Sequence, residues 1–164
     1  MREAIGGAWL LSITVGLIAL FTAYLAFSVN YSKAFKVKDA IVERIEKYEG
    51  FNKDDDKEMK EIREYLSKIG YNTKGKCNES IGFTDDIPFI GVDGTTIRKN
   101  DKNTKFTYCV ERVAKSVAVG DYSSAYYKVT VFYGLSLGFV DLNSMFFLTG
   151  ETKNIYYPKD ISAW

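Results

Sequence analysis

Hydrophobic and polar positions divide the chain into stretches of different period. From Ala4 to Ser32 there are 29 residues without a charge, where a helix needs only about 20 apolar residues to cross a bilayer. A transmembrane helix is the first expectation. The run exceeds the apolar region of a secretory signal, about 7 to 15 residues, and Ala23-Tyr24-Leu25-Ala26 is a poor cleavage site, so the segment is read as retained. Charges then return with no Pro or Gly before Gly50. Ala34, Val37, Ile41, Ile45 and Tyr48 recur every three or four residues, between Lys38, Asp39, Glu43, Glu46 and Lys47. That spacing leaves one stripe to pack and an opposite face to stay wet. Read as one helix, residues 5 to 49 would be about 68 Å long at ~1.5 Å per residue, with roughly half beyond the hydrocarbon. Gly50 is the expected stop.

Asp54, Asp55 and Asp56 precede a second helical pattern with Met59, Ile62, Leu66 and Ile69 on one face, closed by Gly70. Acids suit the start of a helix, whose free N–H groups favour negative charge. A calcium loop would need acids at alternate positions, a central Gly and a terminal Glu, which this run lacks. Residues 71 to 104, rich in Gly, Asn, Asp and Lys, read as loops with one short strand at "IPFIGV".

The period then falls to two. In 105 to 117, Phe106, Tyr108, Val110 and Arg112 alternate with Thr107, Cys109, Glu111 and Val113. After a turn at 120 to 124, residues 125 to 137 form a second aromatic and β-branched strand, paired with the first as an antiparallel hairpin. Residues 144 to 158 read as a third strand, with Gly150 as a bend and Pro158 as a stop at the edge. Such a sheet needs a cover on one face, and the apolar stripe after Ser32 is the natural one. The fold class expected is α+β: a long helix, half transmembrane and half amphipathic, packed on a small antiparallel sheet, with a second short helix. Residues 1–32 form the tip and transmembrane helix, and residues 33–164 the α+β domain.

Composition narrows the chemistry. A net charge of +1, with lysines mixed among acids, gives no field for nucleic acid. The chain has no His, which removes the commonest general base and metal ligand. The remaining candidates, the Asp85 and Asp86 pair or a Ser with a Lys, have no spacing that aims them at one point. No catalytic residue, cofactor or metal site is assigned. Cys77 and Cys109 belong to no CxxC pair; outside the reducing cytosol they are expected as a disulfide, inside it as free thiols. Asn30-Tyr31-Ser32 and Asn78-Glu79-Ser80 match the glycosylation acceptor, a pattern frequent by chance. Lys33, Lys36 and Lys38 against Arg2 favour a cytoplasmic domain by the positive-inside rule. The cysteine pair argues for the other side.

The charged tip "MRE", the apolar run from Ala8, its continuation "NYSKAFKVKDAIVERIE" and the closing "YYKVTVFYGLSL" and "FFLTGETKNIYY" resemble a TadE-like or pseudopilin-type protein of a type IV pilus or tight-adherence system. The resemblance covers most of the chain in the order of its elements. No acid stands at the fifth position after Gly6 or Gly7, which agrees better with the TadE-like group than with processed pilins. It implies a pilin-like fold and a non-catalytic minor pilin, pseudopilin or assembly subunit, single-pass in the cell membrane, with an extracytoplasmic domain. Its partners would be the lipid bilayer and other pilin-like subunits, met laterally through Gly7, Ser12, Gly16, Ala19 and Ala23, small residues that let helices approach. The alternative is an anchored ligand-binding or sensory domain, for which Tyr126, Tyr127, Tyr133, Tyr156 and Tyr157 are the candidate contacts.

Overall fold

The uncharged run and the amphipathic run form one unbroken helix, α1 (Arg2–Lys47), of 46 residues and about 69 Å. The computed structural model describes residues 2–51, 56–77, 88–119, 122–137 and 140–158. At the end of α1, the N–H of Gly50 donates to Ile45 O at 2.9 Å and that of Glu49 to Glu46 O at 3.2 Å. This six-to-one and five-to-two pair closes the helix through a left-handed residue. Here that residue is Glu49 (φ 54), while Gly50 sits at φ 149. A Cβ on Gly50 would meet the Tyr157 hydroxyl at 2.8 Å. Gly50 is thus needed for the close approach, and the left-handed turn falls to its neighbour.

Helix α2 (Asp56–Lys68) seats Met59, Ile62 and Leu66 in the core, as its period requires. It ends by the same device, with Gly70 left-handed (φ 64) and Tyr71 N–H donating to Leu66 O at 3.0 Å. Of the three aspartates expected as its cap, Asp54 and Asp55 lie outside the described residues.

The strands are β1 (Gly75–Lys76), β2 (Phe89–Asp93), β3 (Thr96–Lys99), β4 (Lys105–Phe106), β5 (Tyr108–Val119), β6 (Tyr122–Leu137), β7 (Val140–Glu151) and β8 (Ile155–Pro158). Among the described residues they make a six-stranded antiparallel sheet in the order β3-β2-β5-β6-β7, with β8 also on β6, and a separate β1-β4 pair. The β5–β6 hairpin is the one the alternation predicts. The segment 71 to 104 holds more order than its composition suggests. A two-residue turn at Gly94 (φ 58) joins β2 to β3, with Asp93 opposite Thr96. After β3, the Asp101 carboxylate accepts the backbone N–H of Asn103 and Thr104 at 3.0 and 3.1 Å and the Thr104 hydroxyl at 2.7 Å.

Two further readings are corrected. Phe106 does not share a face with Tyr108 and Val110, because the strand breaks at Thr107, whose N–H donates to Val92 O at 2.9 Å. Residues 144 to 158 are two strands, and the interruption is at Thr152 rather than Gly150. Glu151 pairs with Lys128 and Ile155 with Ala125, so three residues on one side face two on the other. Thr152 fills that bulge: its N–H donates to Tyr127 O and its hydroxyl accepts the Tyr127 N–H, both at 2.9 Å. Gly150 serves the helix packing instead, since the Lys38 stem would lie 2.7 Å from a Cβ there.

Both faces of the sheet are covered. On one, Ala34, Val37, Ile41 and Ile45 of α1 and Met59, Ile62 and Leu66 of α2 meet Ile90, Val92, Tyr108, Val110, Tyr127, Val129 and Val131. On the other, Phe89, Phe106 and Phe132 surround the Cys77–Cys109 disulfide, whose Cα atoms are 5.8 Å apart. Gly75 and Gly91 make room for this second cluster, because a Cβ on either would lie within 2.3 Å of the Phe132 or the Phe106 ring.

Candidate functional site

The junction where α1 leaves the sheet is the candidate site. Below it, an 18-residue window of α1 has a mean hydropathy of 2.2 and no burial within the protein. Trp9 is 71% exposed and Ile18 61%. Such a surface is long and apolar enough to cross a membrane. The few hydroxyls in it are satisfied within the helix: Ser12 donates to Ala8 O at 3.0 Å, Thr14 to Leu10 O at 2.9 Å and Thr22 to Ile18 O at 2.8 Å. In a medium without water such groups need internal partners.

Of the five small residues expected to pack helices, Ser12, Gly16, Ala19 and Ala23 recur at intervals of four, three and four, hence on one face. The same rhythm continues through Phe27, Asn30, Ala34, Val37 and Ile41, the residues turned toward the sheet. Gly7 falls on the opposite side. A Cβ on Gly7 or Gly16 would meet nothing within 4 Å, so neither is filled by the protein itself.

At the junction the rings of Phe27 and Tyr133 stand 5.7 Å apart, Phe27 and Phe146 5.5 Å, and Tyr31 and Tyr133 5.6 Å. Phe35 stacks on Tyr31 and carries the Lys38 ammonium at 4.1 Å. Of these rings the tyrosines, apolar with a polar tip, are of the kind that prefers the membrane–water boundary. Trp9 and Tyr31, 22 residues apart, are separated by about 33 Å along the helix, close to the ~30 Å of a hydrocarbon core.

The polar residue at this level is Asn30, whose Nδ2 donates to Gly134 O at 2.8 Å. Nearby, the Tyr71 hydroxyl donates to Phe132 O, and burial pushes that hydroxyl's pKa well up. The two bonds serve a stretch of β6 that has run past its neighbour, since β5 pairs no further than Tyr108 opposite Val131. Backbone groups there need other partners. Sequence reading noticed Asn30 only as a glycosylation acceptor; the single amide before the lysines of an apolar helix was the better signal. The other acceptor, Asn78, and the Asp85 and Asp86 pair lie outside the described residues. A hollow of about 110 Å³ beside the junction is bounded by Asn30, Lys33 and Tyr133 and by 70–73. It is smaller than the ~300 Å³ at which small-molecule sites begin.

The tyrosines considered as ligand contacts are dispersed. Tyr127 and Tyr133 are buried, and Tyr157 donates to or accepts from the Tyr127 hydroxyl at 2.8 Å. Tyr126 is half-buried and Tyr156 exposed. On the far side of α1, Glu61 accepts the Tyr48 hydroxyl at 2.7 Å and the Lys47 ammonium at 3.3 Å, joining α1 to α2. The Tyr48 hydroxyl, and then Lys47, hold the Glu61 carboxyl below its ordinary pKa.

No protein-family model, curated protein or solved structure matches this chain.

Proposed function

We propose that this chain is a non-catalytic, single-pass membrane subunit of a pilin-like assembly, of the TadE-like or pseudopilin type, with its α+β domain outside the cytoplasm. The observation that carries the reading is the division of labour within α1. Its first half presents apolar side chains on every side and its second half is the core of the domain, with no hinge between. A mere tether needs only the first half. A helix that continues as the domain's spine transmits any lateral or axial movement in the membrane to the whole subunit, which is what a subunit of an assembly requires. The disulfide supports the extracytoplasmic side. Of the three lysines that favour the opposite orientation, Lys38 is only 14% exposed and is engaged with Asp39 at 2.8 Å.

The test is photo-crosslinking in native membranes from a benzophenone side chain at Ser12, Gly16 or Ala19, compared with Leu10, Leu17 or Phe21 on the opposite face. Lateral assembly predicts adducts with other single-pass subunits from the first set only. Adducts to lipid alone from both sets would contradict assembly and favour an anchored binding domain.

A further inference from the structure

The hollow beside the junction has the chemistry of an anion site. Asn30 and Lys33, three residues apart and so on one face of α1, form part of its wall, and the segment 70–73 that follows α2 and Tyr133 of β6 complete it. The side chains around it bring an ammonium group, the Asn30 and Asn72 amides and the Thr73 hydroxyl, and no carboxylate lines it. Among the described residues no acid reaches Lys33, whereas Lys38, Lys47, Lys60, Lys74 and Lys153 each meet an Asp or a Glu. Asn30 gives one amide N–H to Gly134 O at 2.8 Å and keeps a second to donate. The C-terminal end of α2 would oppose an anion, but its last carbonyls are engaged: Tyr65 O, Leu66 O and Ser67 O accept the N–H groups of Ile69, Tyr71 and Gly70.

Size and position narrow the ligand. A volume of about 110 Å³ holds a few waters at ~30 Å³ each, or one tetrahedral phosphoryl group whose ester arms leave through the mouth. Lys33, Gly70 and Asn72 are exposed, so there is a mouth. Lys33 lies two residues beyond Tyr31, about 3 Å along the helix. With Trp9 and Tyr31 at the two edges of the hydrocarbon, the headgroup layer reaches about 5 to 7 Å further, and the hollow opens within it. A lysine that only reaches for headgroups needs no hollow: Lys36, one turn on, is exposed and borders none of this one.

We propose that the hollow seats the phosphate of an anionic phospholipid from the leaflet beside the domain, held by the Lys33 ammonium as a point charge and by the amide and hydroxyl donors of Asn30, Asn72 and Thr73. An anionic lipid is specified because Lys33 supplies the one positive charge at the site, and a zwitterionic headgroup brings a competing cation of its own. A phosphate gripped by α1 and by the segment after α2 together fixes the height and tilt of the domain on the membrane, where a helix alone fixes neither.

The proposal rests on α1 crossing the bilayer, the premise of the proposed function, and the experiment separates the two. Isotope-labelled full-length protein is reconstituted in phosphatidylcholine nanodiscs with increasing fractions of phosphatidylglycerol. Co-elution with pure phosphatidylcholine discs reports the anchor, and the amide shifts of Asn72 and Thr73 report the site. Those shifts should saturate as phosphatidylglycerol is added. Lys33→Gln should weaken the response about tenfold or more, the loss of a charge-assisted hydrogen bond, while Lys36→Gln, the same change of charge outside the hollow, should stay within about twofold. Equal weakening by both variants would reduce the effect to diffuse surface charge and overturn the site. Inorganic phosphate in pure phosphatidylcholine discs should leave the shifts unmoved; if it reproduces them and phosphatidylglycerol does not, the ligand is a soluble anion and the lipid assignment fails. Co-elution without any saturable shift overturns this proposal and leaves the anchor standing; protein that does not enter the discs overturns both.

Discussion

Ile18 and Ile41 are the same residue type in the same helix, and they should respond oppositely to truncation. Ile41 is 1% exposed, packed among core residues of the sheet, whereas Ile18 is 61% exposed and touches no core cluster. Truncating a buried Ile to Ala costs about 2 to 5 kcal/mol, the lost transfer energy plus the cavity left behind. Taking about 3 kcal/mol for Ile41→Ala, and about 0.28 kcal/mol/K for the unfolding entropy of residues 33–164 at ~2.1 cal/mol/K each, the melting temperature falls by roughly 11 °C. Ile18→Ala exchanges one exposed apolar group for a smaller one and should shift it by about 1 °C or less. The assay is a thermal melt of the full chain in detergent, followed by near-ultraviolet circular dichroism of the domain's tyrosines. Equal shifts for the two variants would refute the division of α1 into a lipid half and a core half.

Three further outcomes follow from particular contacts. Glu49→Gly relieves a left-handed residue that carries a Cβ and should stabilise the domain by about 1 kcal/mol in a chemical denaturation curve; destabilisation would mean that the Glu49 side chain matters more than its backbone. Cys77→Ser with Cys109→Ser opens a loop of 32 residues and should cost about 3 to 4 kcal/mol, and in the native protein a thiol reagent should add twice after reduction and not before. The Asp101 carboxyl is held down to about 2, first by the Thr104 hydroxyl and then by the Asn103 and Thr104 N–H groups. Because its folded pKa lies below the unfolded one, its stabilisation is complete above about pH 4 and is lost as pH falls toward 2. A carboxyl carbon shift titrating in the ordinary range for Asp would contradict this.

Much of the architecture is legible in the chain because its periods are unambiguous. The change from continuous apolar sequence to a three-and-four rhythm in α1, and the alternation of 105 to 117 against 125 to 137, leave few alternatives. Strand β2 was legible at "IPFIGV", but β3 and the hairpin that pairs it with β2 were hidden because they lie in a run whose Gly and Asp content mimics a loop. "VDGTT" was the available signal, a turn with Gly at its left-handed position. The second aromatic cluster is illegible for a different reason. Phe106, Phe132 and Cys109 lie on the face that a one-sided sheet would leave wet, and only Gly75 and Gly91, seen in place, explain how their rings are accommodated. The junction was legible only in part. The sequence announces the small-residue stripe, but the role of Asn30 depends on a carbonyl 104 residues away. The unpaired end of β6 depends on where β5 stops.

The central claim is that α1 is one rigid element in two media, and a nitroxide scan from residue 8 to residue 47 in lipid bilayers tests it most directly. At each position, power saturation with oxygen and with a water-soluble nickel chelate separates lipid, water and protein interior. Positions 10 to 22 should be open to oxygen and closed to nickel. Positions 34, 37, 41 and 45 should be closed to both, with 36, 39, 43 and 47 open to nickel, and the helical phase should run through 28 to 36 without a jump. Nickel access at positions 10 to 22, or a break of phase at the junction, would contradict the account.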